Sequence, residues 1–208
     1  DYMAPIIVNT ELPKSIKKGT ALSDLPQKIN ITINNETKDT PVEWTLVSGD
    51  LNSTGPVTLN GTMTENGGRK VTLNGFVYSD GLKYLVDCGV MDASGSPKVS
   101  DIYEDVKKHG KLVNEAADQK AAGTNTWGYG GGCSALAWRA GSGLHSTGWY
   151  GSANKAGNAF SYEFVLDKGT YKITTGHTEW WSAGRATKVK AAFEGSSMPV
   201  ELGTASWS

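Results

Sequence analysis

The feature that most constrains this chain is a succession of short apolar runs that alternate with polar residues and end in turns. Residues 29–33 read Ile-Asn-Ile-Thr-Ile, so an extended backbone puts three isoleucines on one face and the polar side chains on the other. Residues 6–8, 42–47, 57–62 and 71–77 supply further runs of this kind, and in 42–47 the alternation turns Trp44 inward as a core aromatic. Between 57–62 and 71–77 stands Glu65-Asn66-Gly67-Gly68, and Asn-Gly between alternating runs is a strong hairpin signal. The chain of 208 residues holds 26 glycines, which fall between short apolar runs as turn punctuation rather than in low-complexity tracts. Short β-branched runs separated by frequent turns predict an all-β chain of the sandwich or barrel type.

At Ser79-Asp80-Gly81 the composition shifts, and six of the seven tryptophans lie beyond it. The predicted boundary divides a first domain, 1–80, from a second, 81–208, with a linker short enough for the two to abut. Residues 82–89 read as the opening strand of the second domain. Residues 100–122 hold the one helical stretch. Ser100 is placed to cap it, Asp101 and Glu104 suit its positive end, Lys107 and Lys108 suit its negative end, and Gly110 breaks it. Residues 112–122 read equally as a second helical piece or as loop. Strands return at 160–166, 171–175 and 186–193, the first two joined by the turn Asp167-Lys168-Gly169-Thr170.

Two resemblances sharpen the class. Leu12-Pro13, Leu25-Pro26, Pro41-Val42-Glu43-Trp44, Asp50-Leu51 and Asn60-Gly61-Thr62 occur in the order found in bacterial Ig-like modules. That likeness implies a spacer without chemistry of its own, in a secreted or cell-surface setting. The second half resembles the galactose-binding-like jelly-roll sandwich of many carbohydrate-binding modules. Its matching residues are 82–89, Asn114-Glu115-Ala116-Ala117-Asp118-Gln119, Trp127-Gly128-Tyr129, 160–166, Gly169-Thr170-Tyr171 and Glu179-Trp180-Trp181 with Arg185. The likeness implies an accessory region of a glycoside hydrolase that binds a plant or host polysaccharide or oligosaccharide. It also implies a structural Ca²⁺ held by hard ligands, for which Asp87, Asp118 and Asp92 are available. Domains of that kind usually continue for further strands, so the second sandwich is expected to be trimmed or closed by another part of the polypeptide.

Sugar recognition needs flat aromatic faces for the C–H side of a pyranose and planar polar groups for its hydroxyls. Trp127, Tyr129, Trp149, Tyr150, His177, Trp180, Trp181 and Arg185 are the candidates, most of them beside glycines that can present a large side chain on a loop. Each tryptophan also fits a core position, which leaves a structural or adhesive segment without a sugar site as the alternative. Catalytic signals are missing. Glu163, Glu179 and Asp118 show no spacing that singles out a glycosidase pair, and His109, His145 and His177 lack metal-ligand spacing. The glycine run 128–132 lacks the Lys-Ser/Thr of a phosphate loop. A net charge of −1 gives no field for nucleic acid, and no apolar run reaches the roughly 20 residues of a membrane span. Cys88 and Cys133 fit one bridge or two thiols equally. Four Asn-x-Ser/Thr sequons, at Asn30, Asn35, Asn52 and Asn60, fit glycosylation or simply the polar faces of strands.

Overall fold

The alternating isoleucines form strand β3, Lys28–Ile33, and the chain reverses at once into β4, Glu36–Ser48. The computed structural model describes residues 4–89, 98–131, 133–136, 143–151, 159–178, 186–196 and 198–205. Asn34 and Asn35 carry the reversal with φ of 49° and 65°, the positive pair that a two-residue hairpin matched to strand twist requires. Strand β4 runs far beyond the predicted 42–47 because its polar first half, 36–41, pairs with β3. From Val42 onward it pairs instead with β5, Gly55–Met63. The partner changes at Pro41, and one strand thereby serves both layers. The Asn66-Gly67 hairpin is present, with Gly67 and Gly68 both left-handed (φ 67° and 72°), and leads into β6, Arg69–Tyr78.

The amino-terminal segment also serves both layers. Strand β1, Ile6–Val8, pairs antiparallel with β3, and β2, Ser15–Lys17, pairs parallel with the far end of β6. Ile29 and Ile31 from one layer meet Val57, Leu59, Leu73 and Val77 from the other in one buried cluster. Trp44 lies in it, 6% exposed, and its indole N–H donates to the carbonyl of Pro26 at 2.7 Å. Gly61 makes room for that ring: a Cβ there would lie 2.5 Å from Val42 Cγ2 and 3.0 Å from the Trp44 ring.

Beyond Tyr78 the character changes. One α-helix occurs among the described residues, α1, Asp101–His109, and its ends are as predicted. Ser100 Oγ accepts from the amide of Ile102, acidic residues fill the first turn, basic residues fill the last, and Gly110 comes next. Residues 112–122 contain no helix, and 82–89 form no strand, a correction to the predicted opening strand. That segment is tied side chain to backbone instead. Asn114 Oδ1 accepts from Leu85 N, Asn114 Nδ2 donates to Leu85 O at 2.8 Å, and Asp87 N donates to Ala117 O at 3.0 Å. A buried asparagine that satisfies both groups of one residue replaces a ladder.

Helix α1 packs on the first module. Tyr103 and Val106, both almost fully buried, share a cluster with Phe76 of β6, Leu85 and Ala117, flanked by Tyr78. Polar contacts cross the same joint. Asp105 Oδ2 accepts from both the amide and the hydroxyl of Ser15 at 2.8 Å, and Lys14 pairs with Asp101 at 2.9 Å.

The remaining strands are short: β7, Gly128–Tyr129, β8, Cys133–Leu136, β9, Gly148–Gly151, and β10, Tyr162–Glu163. They pair antiparallel as β7 with β10 and β8 with β9. The predicted strand 160–166 is thus only two residues long, and 171–175 forms none, so the predicted hairpin between them is absent. The chain divides into two compact units, Asp1–Gly169 and Thr170–Ser208. The second contains β11, Thr187–Ala191, and β12, Val200–Ala205, paired antiparallel with a bulge after Val189. Among the described residues the chain is all-β apart from α1 and two 3-10 turns, as its pattern predicts. No described helix is long and apolar enough to cross a membrane.

Candidate functional site

Alternation places Tyr162 and Phe164 on one side of the short run through β10, and both rings join an aromatic ladder. Phe164 lies nearly parallel to Trp127 (centroids 6.4 Å, 9°) and nearly parallel to Tyr162 (5.9 Å, 11°). Tyr84 meets Phe164 edge-on at 5.0 Å, and its hydroxyl donates to Val165 O at 3.0 Å. Tyr162 leads on to Tyr129 at 6.4 Å, and Tyr129 packs on Trp149 at 4.3 Å.

The predicted platform residues occupy unequal places along this ladder. Trp127 is 6% exposed, so its ring is sealed between Tyr84 and Phe164 and does not form the open stacking face that its glycine-flanked loop suggests. Tyr129 and Trp149 are half-buried. Tyr150, next to Trp149 on β9, is 39% exposed. Neighbouring strand residues face opposite ways, so Tyr150 and Trp149 serve different surfaces. His177 belongs to the second unit, where its Nε2 lies 2.9 Å from Thr175 Oγ1. Trp180, Trp181 and Arg185 lie outside the described residues, as do Glu179 and Asp92. Phe164, at 42% exposure, is the ring that sequence reading passes over. The aromatic spacing at 160, 162 and 164 is its signal, and periodicity alone interprets that spacing only as a strand.

Beneath the rings sits Asp118. Its Oδ2 accepts from Gly89 N and Trp149 Nε1, both at 2.7 Å, its Oδ1 accepts from Gln119 N at 2.9 Å, and the Tyr162 hydroxyl reaches both oxygens at 3.0 and 3.1 Å. Burial raises its pKa, while these four donors pull the other way. Tyr162 is raised as well, first by burial and then by the neighbouring Cys88 and Asp118. Cys88 is a free, half-buried thiol, pushed up to about 11 by desolvation.

The same wiring bears on the predicted cation site. Every lone-pair direction of Asp118 used here faces an N–H or O–H, the reverse of what Ca²⁺ needs. Asp87 is 1% exposed, accepts from Ser100 N at 2.6 Å through Oδ2, and leaves Oδ1 without a hydrogen bond. Burial, and secondarily the charge of Asp118, raise Asp87 to about 6, against a lowering by the Ser100 amide. Among the described residues no three acidic, histidine or cysteine side chains converge in a metal-binding group.

One cluster has the composition of a catalytic triad and not its wiring. Ser15 Oγ donates to Asp105 Oδ2 at 2.8 Å, and His109 Nδ1 lies 3.2 Å from Ser15 Oγ and 2.9 Å from the carbonyl of Asp105. A carbonyl only accepts, so Nδ1 carries the proton there and does not act as base for Ser15. This group binds α1 to β2.

Residues 9–66 match the family model of the bacterial Ig-like domain (group 4). No curated protein and no solved structure matches the chain at a significant level. Residues 9–66, which take in β2 to β5, are accordingly a bacterial Ig-like module.

Proposed function

We propose that this chain is a non-catalytic accessory region of a secreted or cell-surface glycan-degrading protein, in which the Ig-like module is a rigid support and the β-region after it contacts glycan. The observation that carries the support role is the joint. Phe76 of the last Ig-like strand is buried in the same cluster as Tyr103 and Val106 of α1, and Ser15 and Asp105 are hydrogen-bonded across the seam. A shared core fixes orientation, whereas a spacer on a loose linker leaves it free.

Glycan contact is supported by two exposed aromatic residues, Phe164 in the ladder and Tyr150 on β9. A sugar ring stacks on an aromatic side chain through its C–H groups. Binding of the whole chain to an array of plant and host polysaccharides tests this. Phe164→Ala or Tyr150→Ala is expected to weaken binding about tenfold, equivalent to about 1.4 kcal/mol. No binding to any glycan would instead establish a purely structural or adhesive segment. That second reading is favoured by two observations: Trp127 is buried, and the indole N–H of Trp149 is consumed by Asp118.

A further inference from the structure

Strand β6 has two edges. One pairs with β5 along its length, from Arg69↔Met63 to Val77↔Gly55, without a register shift. The other is covered only at residues 76–78, by β2. There Phe76 N donates to Lys14 O at 2.9 Å and Lys18 N donates to Tyr78 O at 2.7 Å, so even-numbered residues turn their backbone groups to this edge. The same alternation aims the N–H and C=O of Lys70, Thr72 and Asn74 outward, where no described backbone partner meets them.

The chain that could cover them stands away. Asn9 N and Thr10 N are both bonded to Asn30 O in the other layer, at 2.8 and 3.4 Å. Between that crossover and β6 lies a cleft of about 370 Å³ whose apolar lining comes from Val8, Leu12 and Pro13 on one side and Val71 and Leu73 on the other. Arg69 and the exposed Lys70 stand at the start of the open edge and form no ion pair within the described residues.

We propose that this edge is a strand-addition site for an extended peptide of another polypeptide, with an apolar side chain in the cleft and carboxylates toward Arg69 and Lys70. Main-chain bonds to Lys70, Thr72 and Asn74 give the affinity, and the cleft and the two cations give the selectivity.

The test titrates the isotope-labelled full chain with a short acetylated peptide that alternates valine and threonine and ends in glutamates. Amide exchange at Lys70, Thr72 and Asn74 is expected to slow roughly tenfold at saturation. The peptide N-methylated at alternate residues is expected to leave exchange unchanged. Thr72→Pro removes an outward donor that an edge strand can lose and keep its fold, and it abolishes the response. Lys70→Glu weakens binding roughly tenfold, and serves alone should Thr72→Pro unfold. Unchanged exchange, equal binding of the N-methylated peptide, or protection that depends on protein concentration without peptide would overturn the proposal, the last by making the occupant a second copy of the chain.

Discussion

Asp118 shows how one side chain can order a region that has little regular structure. It joins the 82–89 segment through Gly89 N, β9 through Trp149 Nε1 and β10 through the Tyr162 hydroxyl. Asp118→Ala strands those donors, and unfolding titrations are expected to show a loss of about 3 kcal/mol or more, against about 1 kcal/mol for Trp149→Phe. Asp87 predicts a pH effect of defined sign. Its folded pKa of about 6 exceeds the ordinary 3.8, so the folded state holds the proton more tightly. Its contribution is therefore full below the ordinary value and is lost as pH rises through about 6, a change of about 3 kcal/mol. Stability measured across that window is expected to fall less steeply in Asp87→Asn. A slope equal to that of the parent chain would contradict the assignment. Sequence reading picks out both aspartates, but the pattern marks only a hard acceptor and not whether a cation or a set of N–H groups faces it.

Elements are legible where alternation coincides with burial on one face. Strands β3, β5 and β6, and α1 with its Ser100 cap and Gly110 stop, emerge directly from that pattern. The first half of β4 escapes because Glu36 to Asp39 are all exposed and carry no apolar signal; backbone pairing with β3 holds them. Residues 82–89 err the other way. Leu85 and Val86 are apolar enough for a strand, yet the side chain of Asn114 takes both backbone groups of Leu85. Such a distant bond leaves no mark on local periodicity. Gly61 tests the packing of the module, since the added methyl of Gly61→Ala would press on Val42 and the Trp44 ring. A loss of about 1–3 kcal/mol is expected, with a shift in Trp44 emission. A neutral substitution would show that the two layers part easily at that point.

At the scale of the molecule, the joint between the Ig-like module and α1 decides whether the module supports its neighbour or merely spaces it. The sequence announces two different compositions meeting near residue 80, but not that Phe76 and Tyr78 turn toward the second of them, because apolar residues at a strand end read the same whether they close one core or begin another. The candidate site is legible as a stretch of aromatics, though not as a ladder, whose order depends on which loops meet in space. The most direct test is native-state amide exchange on the full chain carrying Tyr103→Ala, which removes the most buried ring of the joint. Coupling predicts that opening free energies fall together in α1 and at the 76–78 end of β6, by about 3 kcal/mol. Loss of protection in α1 with the Ig-like strands unchanged would contradict it and leave the module a spacer independent of the region beyond residue 80.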